Sequence, residues 1–156
     1  TFVEPYPERL YSLLKGSDKS NNQILVQPVQ EVPLDTFEEL EANDFLFIDS
    51  SHVSKTGSDV NYLFFEVLPR LKPGVLIHVH DIFSPFEYPK EWVLKPSTWF
   101  GFNELYLLRA FLMYNHDFAI VMFNTFLETH HADWFRKEMP LCMKNPGGSI
   151  WIQKLK

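Results

Sequence analysis

The chain has 156 residues, 46% of them hydrophobic, with 15 Phe and 4 Trp, enough to fill the core of one domain and too apolar for a disordered chain. A net charge of −6, with 14 basic residues that form no run, argues against a nucleic-acid surface. The lone Cys142 excludes an internal disulfide, no apolar stretch nears the roughly 20 residues of a membrane span, and no basic-then-apolar leader opens the sequence. An intracellular, cytoplasmic protein without nucleic-acid or membrane partners is expected.

The sequence opens inside an element: residues 1–4 (TFVE) read as a strand end, and residues 5–14 as a helix with Leu10, Leu13 and Leu14 at helical spacing and Gly16 as its stop. Residues 17–23 are a polar loop, 24–26 a short β-rich run, 28–33 irregular, and 34–41 a short acidic helix with Leu34, Phe37 and Leu40 on one side. The run FLFI over residues 45–48, bounded by Asp44 and Asp49, suits a parallel strand covered on both faces. From Ser58, a candidate N-cap, the apolar residues Val60, Leu63, Phe64, Val67, Leu68 and Leu71 trace one helical stripe that Pro69 kinks or ends. Pro73 and Gly74 then open a second apolar strand, GVLIHVHDIF over residues 74–83. Residues 45–82 are therefore a strand–helix–strand unit with a right-handed crossover.

Residues 83–102 carry seven aromatics: Phe83, Phe86, Tyr88, Trp92, Trp99, Phe100 and Phe102. A connection that long is functional or disordered, and one this aromatic reads as a lid or substrate wall, with plain core packing as the other reading. Residues 103–114 form a helix burying Leu105, Leu108, Phe111 and Leu112; 118–123 are a strand, 130–139 a helix, and 149–155 a last strand after the turn at residues 146–148. His130 and His131 read as a solvated helix start and Cys142 as a small buried hydrophobe. Alternating strands and helices define an α/β class with a mostly parallel sheet, in one domain over residues 1–156 without internal repeats.

In such sheets ligands bind beyond the carboxyl ends of the strands, and three predicted strands end in an acid: Glu4, Asp49 and Asp81. Glu4 is placed to accept ribose hydroxyls, although a strand-end acid can equally cap a helix or face water. The pleat puts Leu76, His78 and His80 on one face of their strand and Ile77, Val79 and Asp81 on the other. His78 is then a packed residue satisfied by one hydrogen bond. His80 and His52 stand near the rim, where an imidazole can contact substrate or act as general base.

These residues carry a resemblance. FIDSSH (47–52), Asp59, LPRLKPG (68–74) and the His80-Asp81 pair resemble the second half of a class I S-adenosylmethionine-dependent methyltransferase, of the family whose fourth strand reads FIDG-H and whose fifth follows L-PGG. The resemblance spans residues 1–156 and implies a Rossmann-like fold with helices on both faces, an antiparallel last strand, and an N-terminally incomplete, partial domain. The family's first strand and glycine-rich loop would precede Thr1; without that strand the sheet has a gap between the strands ending at Glu4 and Asp49, and this stretch alone would hold the cofactor weakly and be inactive.

The resemblance further implies methyl transfer from S-adenosylmethionine to an oxygen, or a nitrogen, of a small-molecule substrate. Glu4 then holds the ribose, Gln30 lies beside the adenine, and Asp49 and Ser50 flank the methionine end, with His52, His80 and Asp81 catalytic. Asp49 and Asp81 resemble two acidic ligands of magnesium-dependent catechol-type O-methyltransferases, although Ile82 stands where those enzymes carry Asn. Two other readings remain: a metal-dependent hydrolase or hydroxylase using Asp49, His80 and Asp81, and a catalytically inactive association domain that docks through its aromatic loop. The His-x-His-Asp spacing departs from that of the zinc hydrolases, and formation of a homo-oligomer is left open.

Overall fold

The computed structural model describes residues 1–94, 101–144 and 146–156. The expected lid falls partly outside them, taking Trp99 and Phe100 with it. The first strand, β1 (Phe2–Val3), leads into helix α1 (Glu8–Leu13), and a single helical turn, α2 (Asp18–Asn21), occupies the stretch that reads as polar loop. β2 (Ile24–Leu25) runs parallel to β1, and the two form a pair separate from the main sheet. A 3-10 turn (Val29–Glu31) and a short helix, α3 (Asp35–Glu38), follow.

The main sheet contains β3 (Phe45–Ile48), β4 (Leu76–His80), β5 (Phe118–Phe123) and β6 (Ser149–Lys154), in the spatial order β3-β4-β6-β5. β3 and β4 pair in parallel, whereas β6 is antiparallel to both β4 and β5. The sheet is thus mixed, with three strands running one way and the reversed β6 set among them. Between β3 and β4 the chain makes α4 (Asp59–Tyr62), a π-helical turn over Leu63–Val67 and a 3-10 turn over Leu68–Arg70 that contains Pro69. Ser58 caps α4, its side chain accepting from the Asn61 amide, as its position before the stripe predicts.

One face of the sheet is dry. Val60, Phe64, Val67 and Leu68 from the crossover, with Leu105 and Leu108 from α6 (Glu104–Leu112), close over Ile77, Val79, Ile150 and Ile152, and every one of these residues is fully buried. Each such side chain contributes about 1.5–3 kcal/mol by leaving water. The opposite face corrects the expectation of helices on both sides and of a doubly covered β3. Phe45 and Phe47 stand 62% and 60% exposed, and Val121 and Met122 of β5 are also exposed. The residues of FLFI are apolar on both faces, but only the Leu46 and Ile48 side joins the core, with Ile48 alone buried, while Phe45 and Phe47 touch the rings of Trp151 and His78 and stay largely exposed.

Two further helices differ from expectation. α7 (Asn124–His130) and α8 (Ala132–Glu138) stand where one helix over 130–139 is predicted, so His130 ends one and His131 links the two. Within the aromatic stretch, residues 90–94 form the short helix α5 (Lys90–Leu94). Tyr88 is buried, and Phe83, Phe86, Trp92 and Phe102 pack against the core, so the described part of the loop is largely core packing. Among the described residues no helix is long and apolar enough to cross a membrane.

Candidate functional site

Because β3 and β4 are parallel neighbours in register, with Ile48 opposite Val79, the residues that follow them emerge at one rim of the sheet. Both connections turn sharply: His52 and Asp81 adopt φ of 57° and 56°, the left-handed region that costs a non-glycine residue about 1–3 kcal/mol. Such strain persists only where neighbours fix it. The Asp59 carboxylate accepts from the Ser51 amide at 2.7 Å and from its hydroxyl at 2.5 Å. The carbonyl of His52 accepts from the amides of Asn103 and Glu104, at 2.9 and 3.2 Å, and the Asn103 side chain bonds Ser54 at both its amide and its carbonyl.

Asp81 is anchored from the other side, its amide donating to the Gly148 carbonyl at 2.7 Å. Gly148 is required there, since a Cβ at that position would lie 2.3 Å from the Phe83 ring.

Four side chains meet at this rim. His52 is 7% exposed and its Nδ1 lies 2.8 Å from Oε2 of the fully buried Glu104. Donation from Nδ1 to the carboxylate leaves Nε2 facing the rim, 3.4 Å from Asp49 Oδ1 and 3.5 Å from Asp81 Oδ2. His80 Nδ1 lies 3.1 Å from Asp81 Oδ1 and 3.7 Å from Asp49 Oδ1; it is shielded from solvent, and neither approach is aligned as a hydrogen bond. The Phe102 ring, 4.9 Å from that of His52, walls the cluster.

Burial works against a charge on His52, yet the Glu104 hydrogen bond and the carboxylates of Glu104, Asp81 and Asp49 together outweigh it and raise its pKa. His78 behaves oppositely. It forms no hydrogen bond at either nitrogen, correcting the expected one; its ring stacks on Phe47 at 4.2 Å and meets the edge of Trp151 at 4.8 Å. Burial, with a smaller push from His80, lowers its pKa to about 4.

Of the residues singled out from sequence, Asp49, Ser50, His52, His80 and Asp81 share this rim, where Ser50 Oγ accepts from the His52 amide at 3.0 Å. Glu4 and Gln30 have local partners elsewhere. Glu4 Oε1 accepts from the Tyr6 amide at 2.9 Å at the end of β1. Gln30 Nε2 donates to the Gly57 carbonyl at 2.8 Å. Sequence reasoning missed Glu104. The available signal was faint, because an acid in the first turn of a helix is ordinary; what marks Glu104 is that it shares the inward face of its helix with Leu108.

The donor set also bears on the expected magnesium. Among the described residues, one donor atom each from Asp49, His52 and His80 lie within 4.8 Å of one another. Magnesium takes oxygen ligands in a near-octahedral shell. Two imidazole nitrogens among the oxygens of Asp49 and Asp81 do not fit it.

In α/β sheets ligands bind beyond the carboxyl ends of the strands, which is where this rim of acids and histidines lies. The particular family follows from comparison: residues 1–82 match the model of a family described as a methyltransferase domain. That match covers more than half of the chain, which therefore belongs to this family. Its general activity is methyl transfer, for which S-adenosylmethionine is the usual methyl donor. No curated protein and no solved structure gives a match.

Proposed function

We propose that the protein transfers the methyl group of S-adenosylmethionine to an oxygen of a small molecule, at the rim formed by Asp49, His52, His80 and Asp81. A nitrogen acceptor is the runner-up. What carries the reading is the His52–Glu104 pair: an imidazole with raised pKa, its Nδ1 held by a buried carboxylate and its Nε2 turned to the rim, is built to accept a proton in a domain of this family. Attack on a methyl sulfonium asks the protein to align two reactants and receive the acceptor's proton, and alignment alone is worth several kcal/mol of barrier. In this reading Glu4 holds the ribose, Gln30 approaches the adenine, and Asp49 and Ser50 face the methionine end. The sheet's Rossmann-like character, with β6 reversed among parallel strands, agrees with it.

Calorimetric titration of the full-length protein with S-adenosylhomocysteine tests the cofactor assignment. One saturable site is expected, weakened at least tenfold by Glu4→Ala; the absence of heat at high micromolar ligand overturns it. Transfer of label from S-adenosylmethionine to a panel of small hydroxyl compounds and amines then separates oxygen from nitrogen acceptors.

A further inference from the structure

We infer that Asp49, His52 and His80 form a binding site for a divalent first-row transition ion, rather than for magnesium. The inference does not depend on methyl transfer, because it concerns only what the rim binds. It begins with spacing. A tetrahedral ion with ligand bonds of about 2.0–2.1 Å separates its ligand atoms by about 3.3–3.4 Å. Asp49 Oδ1 lies 3.4 Å from His52 Nε2 and 3.7 Å from His80 Nδ1, near that spacing, and the three donor atoms lie within 4.8 Å of one another, so closing the site asks mainly that the two imidazoles draw together.

The second observation is orientation. Nδ1 of His80 is buried without a hydrogen bond although carboxylate oxygens lie beside it, and Nε2 of His52 also meets Asp49 and Asp81 without forming one. Buried polar nitrogens normally find a partner. Of these two, His80 Nδ1 is the buried nitrogen that lacks one; it lies beside Asp49 and Asp81, and His52 Nε2 faces the same two carboxylates, which places both nitrogens as ligands.

The third observation lies behind the cluster. A metal-binding histidine typically gives its other ring nitrogen to a carboxylate, which fixes the tautomer and strengthens the ligand. Glu104 stands in that position behind His52, fully buried and 2.8 Å from Nδ1. Two imidazoles with one carboxylate select nitrogen-accepting ions such as Zn²⁺, Co²⁺ or Fe²⁺ over hard, oxygen-seeking ones and leave coordination positions open. A bound ion of this kind would supply Lewis acidity toward a hydroxyl group. Coordination takes up His52 Nε2, so in the metal-loaded protein the proton-accepting role proposed for His52 passes to Asp81, which lies outside the three-ligand set.

The test uses the full-length protein stripped with chelator and dialysed, then titrated with Co²⁺, Zn²⁺ and Mg²⁺. One equivalent of Co²⁺ is expected to give visible absorption bands, and Zn²⁺ to bind at least about 100-fold more tightly than Mg²⁺. His80→Ala, whose side chain is 40% exposed, should weaken Zn²⁺ at least tenfold without lowering the melting temperature of the stripped protein. Glu104→Gln should weaken it about 10–100-fold, while His130→Ala leaves it unchanged. Absence of Zn²⁺ and Co²⁺ binding, equal affinity for Mg²⁺, or full affinity in His80→Ala overturns the inference. Titration of the same sample with S-adenosylhomocysteine keeps the two claims apart: metal binding without cofactor heat removes only the methyl-transfer reading, and cofactor heat without metal binding removes only this one.

Discussion

The two faces of the main sheet are made from the same four strands and have little else in common. On one, Ile77, Val79, Ile150 and Ile152 lie beneath Phe64, Leu68, Leu105 and Leu108, all without solvent contact. On the other, Phe45, Phe47 and Val121 remain more than half exposed, and Phe45 and Val121 line a shallow apolar depression with Leu76, Met122 and Trp151. That depression lies at the start of β4, whereas the rim cluster lies at its end. Hydropathy cannot distinguish these faces, because it records which residues prefer to be covered and says nothing of what covers them.

The sharpest way to break the comparison is to truncate one phenylalanine on each side. Phe64→Ala should cost about 3–5 kcal/mol in denaturant unfolding, through lost burial and the cavity left behind. Phe47→Ala should cost no more than about 1 kcal/mol, mainly its stacking on His78. Equal costs would mean that the second face is covered in solution. Next in size is Glu104→Gln, which keeps the shape but weakens the bond to His52 inside the buried side; a loss of about 1–3 kcal/mol is expected by the same measurement.

Acid titration probes the exposed side through His78. Its pKa is about 4 in the folded protein against 6.5 in the unfolded chain, so between those values the unfolded state binds more protons. Stability of the chelator-treated protein should therefore fall as pH drops from about 6.5 to about 4 and receive no further contribution from His78 below that. His80 and Asp49 act on the same ring in opposite senses. Phe47→Ala, which uncovers the ring, should flatten the slope by letting the pKa rise. The smallest effect is on dye binding: Phe47→Glu should reduce fluorescence of a hydrophobic probe while leaving the circular dichroism spectrum unchanged.

Much of the framework was legible because local chemistry declares it. Ser58 before an apolar stripe, Pro73-Gly74 before a continuous apolar run, and acids directly after two strands each have one short-range physical reason, and each falls where that reason puts it. What could not be read depends on distant partners. Glu104 is separated from His52 by 52 residues, and nothing near either names the other. The position of β6 between β4 and β5 is likewise set by pairing across the chain; its reversal is expected only through the resemblance, as an antiparallel last strand. The exposure of Phe45 and Phe47 depends on which elements lie above them, which the strand's own composition does not encode. For Glu4 and Gln30 the sequence supplied a role by resemblance, and their neighbours in the fold are a backbone amide and a backbone carbonyl.

The insertion of β6 has a consequence for how the molecule assembles. β4 can pair with β3 as soon as residues 45–80 exist, but its other edge waits for residues 149–153, and Asp81 waits for the Gly148 carbonyl that fixes its left-handed turn. Contacts so far apart in sequence close late and slowly compared with the local crossover helix. During synthesis, β4 is therefore an open edge carrying His78 and His80 until the last strand arrives, the interval in which a chaperone or a second unfinished chain would find it.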